Sequence, residues 1–345
     1  MYDFKDIIMP RPSLPKLNLK SPSPHLGSEI KRNIQVSRKV DRQILEQIKS
    51  KGHYPSNFIA KNIQKLKFIG QGNDAKVFKA LYAPNASPIA LKQIYIQKEQ
   101  QKRIREEIIC FLMCSHPNIV RCFGVLIEKS QVSIGLEFLN KGSLRNHIRR
   151  DTPQEFVVAY VAFEILKGLS YLEKRKIIHR DLKPENILFN DLFEVKISDF
   201  GVSGIVKTAE NVKGTFTGSL VYMSPERFDK EYQYNSDVWS LGIMLLEWTN
   251  GGIPFKNENL NPLEFRNFLV SNNLVEFVPE SFGEVFRSFL GECFELDAEK
   301  RKNARELLKH PFVKKNRGLN KKQRGMLREW LENSWQLSKL EGYAN

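Results

Sequence analysis

The run Ile177-Ile178-His179-Arg180-Asp181-Leu182-Lys183-Pro184-Glu185-Asn186-Ile187-Leu188 brings a carboxylate, an ammonium and an amide into one short stretch, and Asp199-Phe200-Gly201 follows thirteen residues after Asn186. One carboxylate can accept a proton from an attacking hydroxyl, a second carboxylate with an amide oxygen can hold Mg²⁺, and cations can balance the charge of a transferred group. Asp181, Asp199, Asn186, Lys183 and, far upstream, Lys92 are groups of those kinds. Groups of these kinds, so spaced, suit the transfer of a charged group to a hydroxyl.

Elements of regular structure must carry these groups. From Lys65 the segments KLKFIGQG, AKVFKALYA and SPIALKQIYI read as strands punctuated by Gly, Pro and Asn. Between the first two lies Gly70-Gln71-Gly72-Asn73-Asp74-Ala75-Lys76-Val77. Such a hairpin lets backbone N–H groups approach phosphate oxygens, and an ordinary glycine turn is the competing account. In Ile89-Ala90-Leu91-Lys92 the period of two puts Ala90 and Lys92 on one face of a strand. A lysine facing inward needs an anion. Residues 98–114 place Ile104, Ile108, Phe111 and Leu112 on one helical face, and Glu107 shares that stripe while Glu106 points with Lys102 and Arg103 to solvent. Lys92 and Glu107 are therefore the expected buried pair, placed to orient phosphates. From about residue 152 helical patterns dominate, and 237–248, DVWSLGIMLLEW, is apolar nearly all round, as in a helix buried inside a lobe.

Composition sets the remaining bounds. A chain of 345 residues with 41% hydrophobic content can bury a sizeable core. No apolar run approaches a membrane span and the start lacks a secretory signal, which reads as a cytoplasmic protein, with the nucleus also open. Cys110, Cys114, Cys122 and Cys293 lack metal-ligand spacing and read as reduced thiols. The net charge of +15 is concentrated at the ends: residues 1–61 carry 12 Lys or Arg against 5 Asp or Glu, residues 314–345 carry 8 against 3, and the middle is left with +3. That distribution gives no nucleic-acid surface across the fold. Residues 10–24, with five prolines, read as extended, and 37–50 as a short amphipathic helix.

With Gly70–Val77, Lys92, Glu107, the 179–186 run and Asp199-Phe200-Gly201 in order, the chain resembles the eukaryotic protein kinases over about residues 65–313. The resemblance implies an α+β, bilobal fold: a small β-rich lobe with one key helix (62–139) and a larger, mainly helical lobe (140–313). A basic extension (1–61) would precede them and a basic tail with an amphipathic helix (314–345) would follow. It implies ATP and Mg²⁺, with Asp181 as catalytic base, Lys183 at the γ-phosphate, and Asn186 and Asp199 as metal ligands. Val77, Ala90 and Leu188 would sandwich adenine, Leu136 would guard the pocket behind it, and the backbone of Glu137 and Leu139 would bond the adenine edge. Glu226 with Arg301 would anchor the end of the activation segment, and Asp237 would brace the catalytic loop. Ala75 stands where the family has its third glycine, which stiffens the loop and predicts weaker nucleotide binding at most.

Lys183 resembles the lysine of Ser/Thr-specific kinases. Asp199-Phe200-Gly201-Val202-Ser203-Gly204 and Tyr222-Met223-Ser224-Pro225-Glu226-Arg227 resemble the dual-specificity MAP kinase kinases, which implies a MAP kinase substrate and an upstream activating kinase. Thr215 matches their downstream activating phosphosite, where a phosphate would pair with Arg180. Asn211 at the upstream position cannot be phosphorylated, which leaves activation at Thr215 alone or at a pair shifted to Thr208. Ser219 would bond Asp181 or Lys183, and Ser224 reads as structural. Arg11–Leu19, RPSLPKLNL, resembles a docking peptide for an acidic groove, with an inert proline-rich tail as the alternative. Leu327, Leu331 and Trp335 share one helical face, suited to packing on the large lobe or to a partner or membrane surface. Two other functions compete: a Ser/Thr kinase of the cascade's upper tiers, and a pseudokinase scaffold, which the full set of Lys92, Glu107, Asp181, Asn186 and Asp199 argues against.

Overall fold

Alternation of β-branched and aromatic residues with polar ones produces five strands, β1 (Ile63–Gln71), β2 (Ala75–Tyr82), β3 (Ser87–Tyr95), β4 (Cys122–Glu128) and β5 (Gln131–Glu137). They form one antiparallel sheet in the order β1-β2-β3-β5-β4. The computed structural model describes residues 58–71, 75–95, 108, 111–112, 114–128, 131–148, 152–199, 218–229, 233–255, 260–315 and 319–340.

Strands β3 and β5 bury residues on both faces, and the period of two decides which side chain goes where. Ala80, Ile89 and Leu91 point outward and are covered by Phe58, which forms a small separate cluster with them. Phe58 can lie there because position 135 is glycine: a Cβ on Gly135 would stand 2.1 Å from the Phe58 ring. Ile94, Val132, Ile134 and Leu136 face the other way, into the main core with Ile108 and Phe111. Ile108 and Phe111 are helical and fully buried, as the stripe through residues 98–114 requires; Ile104 and Glu107 lie outside the described residues.

The larger lobe is built on α1 (Glu155–Lys174), α2 (Ser236–Asn250), α3 (Pro262–Ser271), α4 (Glu284–Cys293) and α5 (Lys321–Leu340). Every residue of α2 from Ser236 to Thr249 is buried, so the all-round apolar pattern does mark a central helix. Helix α2 stops at Gly251, whose φ of 70° is the left-handed conformation that glycine adopts at little cost. Helix α3 starts with a reciprocal cap between Asn261 and Glu264. Helices do not fill this lobe entirely: β6 (Ile187–Phe189) and β7 (Val195–Ile197) pair as a hairpin on α1. Three-residue strands are too short to show a period, so the sequence pattern there is silent.

Helix α5 packs its apolar face inward: Leu327, Leu331 and Trp335 are buried. Among the described residues no helix is long and apolar enough to cross a membrane. Cys114, Cys122 and Cys293 are free thiols, and burial pushes the Cys122 thiol up to about 12. The extended segment 10–24, the docking-like stretch Arg11–Leu19 and the amphipathic segment 37–50 lie outside the described residues, as does Cys110.

Candidate active site

Between α1 and β6 the chain makes a turn that needs external support. Arg180 (φ 68°) and Asp199 (φ 55°) both sit in the left-handed region, which costs a non-glycine residue free energy unless its surroundings hold it there. Asp237, at the start of α2, accepts hydrogen bonds from the N–H groups of His179 (2.7 Å) and Arg180 (2.9 Å). The fully buried His179 donates from Nε2 to the carbonyl of Ser198 at 2.9 Å, tying the turn to the residue before Asp199. Arg227 donates to the Arg180 carbonyl at 2.7 Å. The bracing expected of Asp237 is thus present as a two-point contact.

That turn assembles the polar cluster. Lys183 Nζ lies 2.7 Å from the Asp181 carboxylate. Asn186 donates from its amide nitrogen to the Asp181 carbonyl (2.7 Å) and carboxylate (3.3 Å), which leaves its amide oxygen as the end available to a cation. Asp199 is ion-paired with Lys92 of β3. Burial works against charge on Asp199, but the Lys92 ammonium, helped by His179 and Lys183, holds its carboxyl below the usual range. The side chain nonetheless keeps 44% of its surface exposed. Among the described residues no group of three His, Cys, Asp or Glu could hold a metal by itself. One carboxylate and one amide oxygen instead suit a hard cation that completes its shell with water and phosphate oxygens.

Above this cluster, the sheet presents one continuous face. Val77 pairs with Lys92 and Lys92 with Ile134; Lys79 pairs with Ala90 and Ala90 with Leu136. Cross-strand partners point the same way, so Val77, Ala90, Lys92 and Leu136 share that face. Leu136 and Leu139 are buried, and Leu188 lies in β6, half-buried. Glu137 ends β5 with its carboxylate tied to Lys196 of β7 (2.9 Å) and its N–H to the Arg121 carbonyl (2.8 Å). Gly70 and Gln71 close β1 opposite Val77 and Lys76, and Ala75 opens β2. Gly72, Asn73, Asp74 and Glu107, together with Thr208 and Thr215, lie outside the described residues, as does the side chain of Ser219.

Two buried polar assemblies flank the site. The first matches the expected anchor: Arg301 holds Glu226 through bonds of 2.7 and 3.0 Å, and Ser224 and Ser236 donate to the same carboxylate. Burial alone would raise the Glu226 carboxyl, but Arg301 and the two hydroxyls hold it below its usual value. The second escapes the sequence reading. Arg145 donates to Glu185 (2.7 Å), to Glu247 and to the Tyr222 hydroxyl (2.6 Å), while Tyr222 donates to Glu247 (2.6 Å). Burial and then the Glu247 carboxylate push the Tyr222 hydroxyl far above its ordinary value. A signal was there: Glu247 is a lone charge late in a helix buried all round, and such a carboxylate requires a cation.

Comparison with known proteins agrees with this architecture. A model described as "Protein kinase domain" matches residues 63–313. The chain is 35% identical over 262 residues to mitogen-activated protein kinase kinase SIPKK of Nicotiana tabacum, covering 73% of each chain. It is equally 35% identical over 273 residues to mitogen-activated protein kinase kinase 1c of Physcomitrium patens, covering 74% of this chain and 77% of that one. Serine/threonine-protein kinase dst1 of Dictyostelium discoideum is 35% identical over 256 residues, 73% of this chain but 34% of the relative. The bilobal α+β architecture and the match over 63–313 give one conclusion: the chain belongs to the protein kinase domain family and is an ATP-dependent enzyme of that family.

Proposed function

We propose that the chain is a MAP kinase kinase, transferring the γ-phosphoryl group of ATP to Thr and Tyr hydroxyls of a MAP kinase after its own activation by an upstream kinase. The observation that carries the chemistry is the cluster in which Asp181, Lys183 and Asn186 are mutually hydrogen-bonded and Asp199 is paired with Lys92. Asp181 accepts the proton of the incoming substrate hydroxyl. Lys183, already beside that carboxylate, neutralises charge on the transferred group. Lys92 orients the phosphates of ATP, while the face of Val77, Ala90 and Leu136, with Leu188 below, receives the adenine. Glu107 would steady Lys92, and the Gly70–Val77 hairpin, Gly72, Asn73 and Asp74 included, would cover the phosphates. Asn186 and Asp199 would hold Mg²⁺, which supplies neutralisation of phosphate charge when bound.

The assignment within the family rests on the Asp199–Gly204 and Tyr222–Arg227 wording and on the two MAP kinase kinase relatives. Residues 62–313 would be the catalytic unit, with Thr215, alone or joined by Thr208, as activating site and residues 1–61 carrying the docking segment. The equal identity to a relative named serine/threonine-protein kinase favours one rival, a Ser/Thr kinase of an upper tier. The test is to incubate the protein with Mg-ATP and a catalytically dead MAP kinase, then map phosphosites by mass spectrometry. Phosphate on both Thr and Tyr of the substrate's loop is expected. Phosphate on neither, with a general protein substrate modified well, would replace the assignment by the rival.

A further inference from the structure

Helix α5 begins after the 63–313 match has ended, yet its inward residues grip the chain that leaves the nucleotide face. That chain is the segment 140–147, directly after Leu139. Trp335 lies against Gly142, where a Cβ would come within 2.7 Å of the indole and where φ is 69°. Space and backbone conformation both demand glycine at that point. The buried His147 donates from Nε2 to the Lys141 carbonyl (2.9 Å), which makes Nδ1 the acceptor for the Ser334 hydroxyl at 2.6 Å. Lys141 is ion-paired with Glu332. Trp330 packs against His147, Phe189 and Phe193.

The far side of the same segment is hydrogen-bonded to β6. Lys141 N–H donates to the Phe189 carbonyl (3.0 Å), Phe189 N–H donates to the Gly142 carbonyl (2.9 Å), and Ser143 bridges to Leu188. A continuous path of packed rings and hydrogen bonds therefore runs from α5 through 140–147 to Leu188, two residues after Asn186. From this we propose that α5 is a positioning element of the nucleotide site: by fixing 140–147 it sets the Leu139 backbone at the edge of the adenine and Leu188 below it. The proposal rests on the reading of that face given above. If the segment samples other arrangements once α5 lets go, nucleotide affinity falls by the fraction of time the competent arrangement is lost.

The full-length protein is titrated with the non-hydrolysable analogue adenosine 5′-(β,γ-imido)triphosphate and Mg²⁺ by calorimetry, alongside the variants Trp335→Ala, Lys141→Glu, Lys141→Glu/Glu332→Lys and Leu327→Ala. Leu327 belongs to the same buried face two turns earlier and controls for a general loss of helix packing. The expected result is a Kd raised about fivefold by Trp335→Ala and about twofold by Lys141→Glu. Adding Glu332→Lys restores binding, and Leu327→Ala binds like the wild type. The KM for ATP should rise in step while kcat and the KM for protein substrate stay put. Unchanged Kd in folded Trp335→Ala and Lys141→Glu proteins overturns the proposal and leaves α5 a packing element. Should Trp335→Ala not fold, the charge pair, whose Glu332 is half exposed, decides alone. A wild type that fails to bind the analogue overturns instead the nucleotide reading beneath it.

Discussion

Glu226 and Arg301 meet with side chains 10% and 0% exposed, every carboxylate oxygen engaged and two serine hydroxyls closing the set, whereas Asp199, paired with Lys92, keeps 44% of its side chain exposed. Both pairs hold their carboxylates ionised, and in both that charge is worked against by burial. The difference lies in spare bonding capacity. A fully satisfied pair fixes two parts of the chain and has nothing left to offer a ligand. A pair with an exposed carboxylate, next to an amide oxygen and a second lysine, has capacity left for a further partner, as the proposed function requires. At Arg180 the left-handed backbone is held from outside the site, by Asp237 accepting from its N–H and Arg227 donating to its carbonyl.

This contrast can be broken or sharpened by substitution. The largest effect is expected from Asp181→Ala, which should lower phosphoryl transfer by about 10²–10⁴-fold while leaving the unfolding midpoint near wild type, read by turnover and by thermal melting. On the closed side, Arg301→Ala strands Glu226 in a buried site and should cost about 3–5 kcal/mol in denaturant unfolding. Arg145→Ala should fall in the same class, because it takes the cation from the buried Glu247 carboxylate, which keeps the Tyr222 hydroxyl as a donor.

The pH dependence of the Glu226 pair has a definite sign. Its folded carboxyl lies below the ordinary value of 4.5, so the stabilisation is fully present above that pH and is lost as pH falls through the lower folded value. Glu226→Gln should flatten the acid limb of a stability–pH curve, and an unchanged limb would contradict the pairing. Tyr222→Phe, removing one hydroxyl from the Arg145 assembly, should cost about 1–3 kcal/mol through the polar atoms it leaves unpaired. Smallest of all, Asp229→Asn breaks the exposed ion pair with Arg266 and should change stability by less than about 1 kcal/mol.

What the sequence discloses follows the same line between local and distant causes. Strands β1 to β3 and the buried helix α2 are local patterns, and their bounds in the fold lie within a residue or two of those read from alternation and apolar runs. The cluster around Asp181 is local too, spanning six residues, so its members could be picked out before their geometry was known. The ion pair of Lys92 with Asp199, 107 residues away, was not read in advance: inward facing predicted an anion and pointed to Glu107, which lies outside the described residues. Arg145 illustrates the harder case. Its three partners, Glu185, Tyr222 and Glu247, come from the turn before β6, from the stretch ahead of Ser224 and from α2, and no short window holds more than one of them. Helix α5 announced its apolar face, but its grip on Gly142 and His147 depends on where the lobe brings those residues.

One paired measurement bears most directly on the division between a reactive and a closed set of charges. Turnover at saturating Mg-ATP and the free energy of unfolding would be determined for the wild type, Asp181→Ala and Arg301→Ala in the same buffer. The account predicts that Asp181→Ala loses turnover with near-native stability and that Arg301→Ala loses stability by several kcal/mol. Retained turnover in Asp181→Ala, or unfolding of that variant alongside a stable Arg301→Ala, would contradict it.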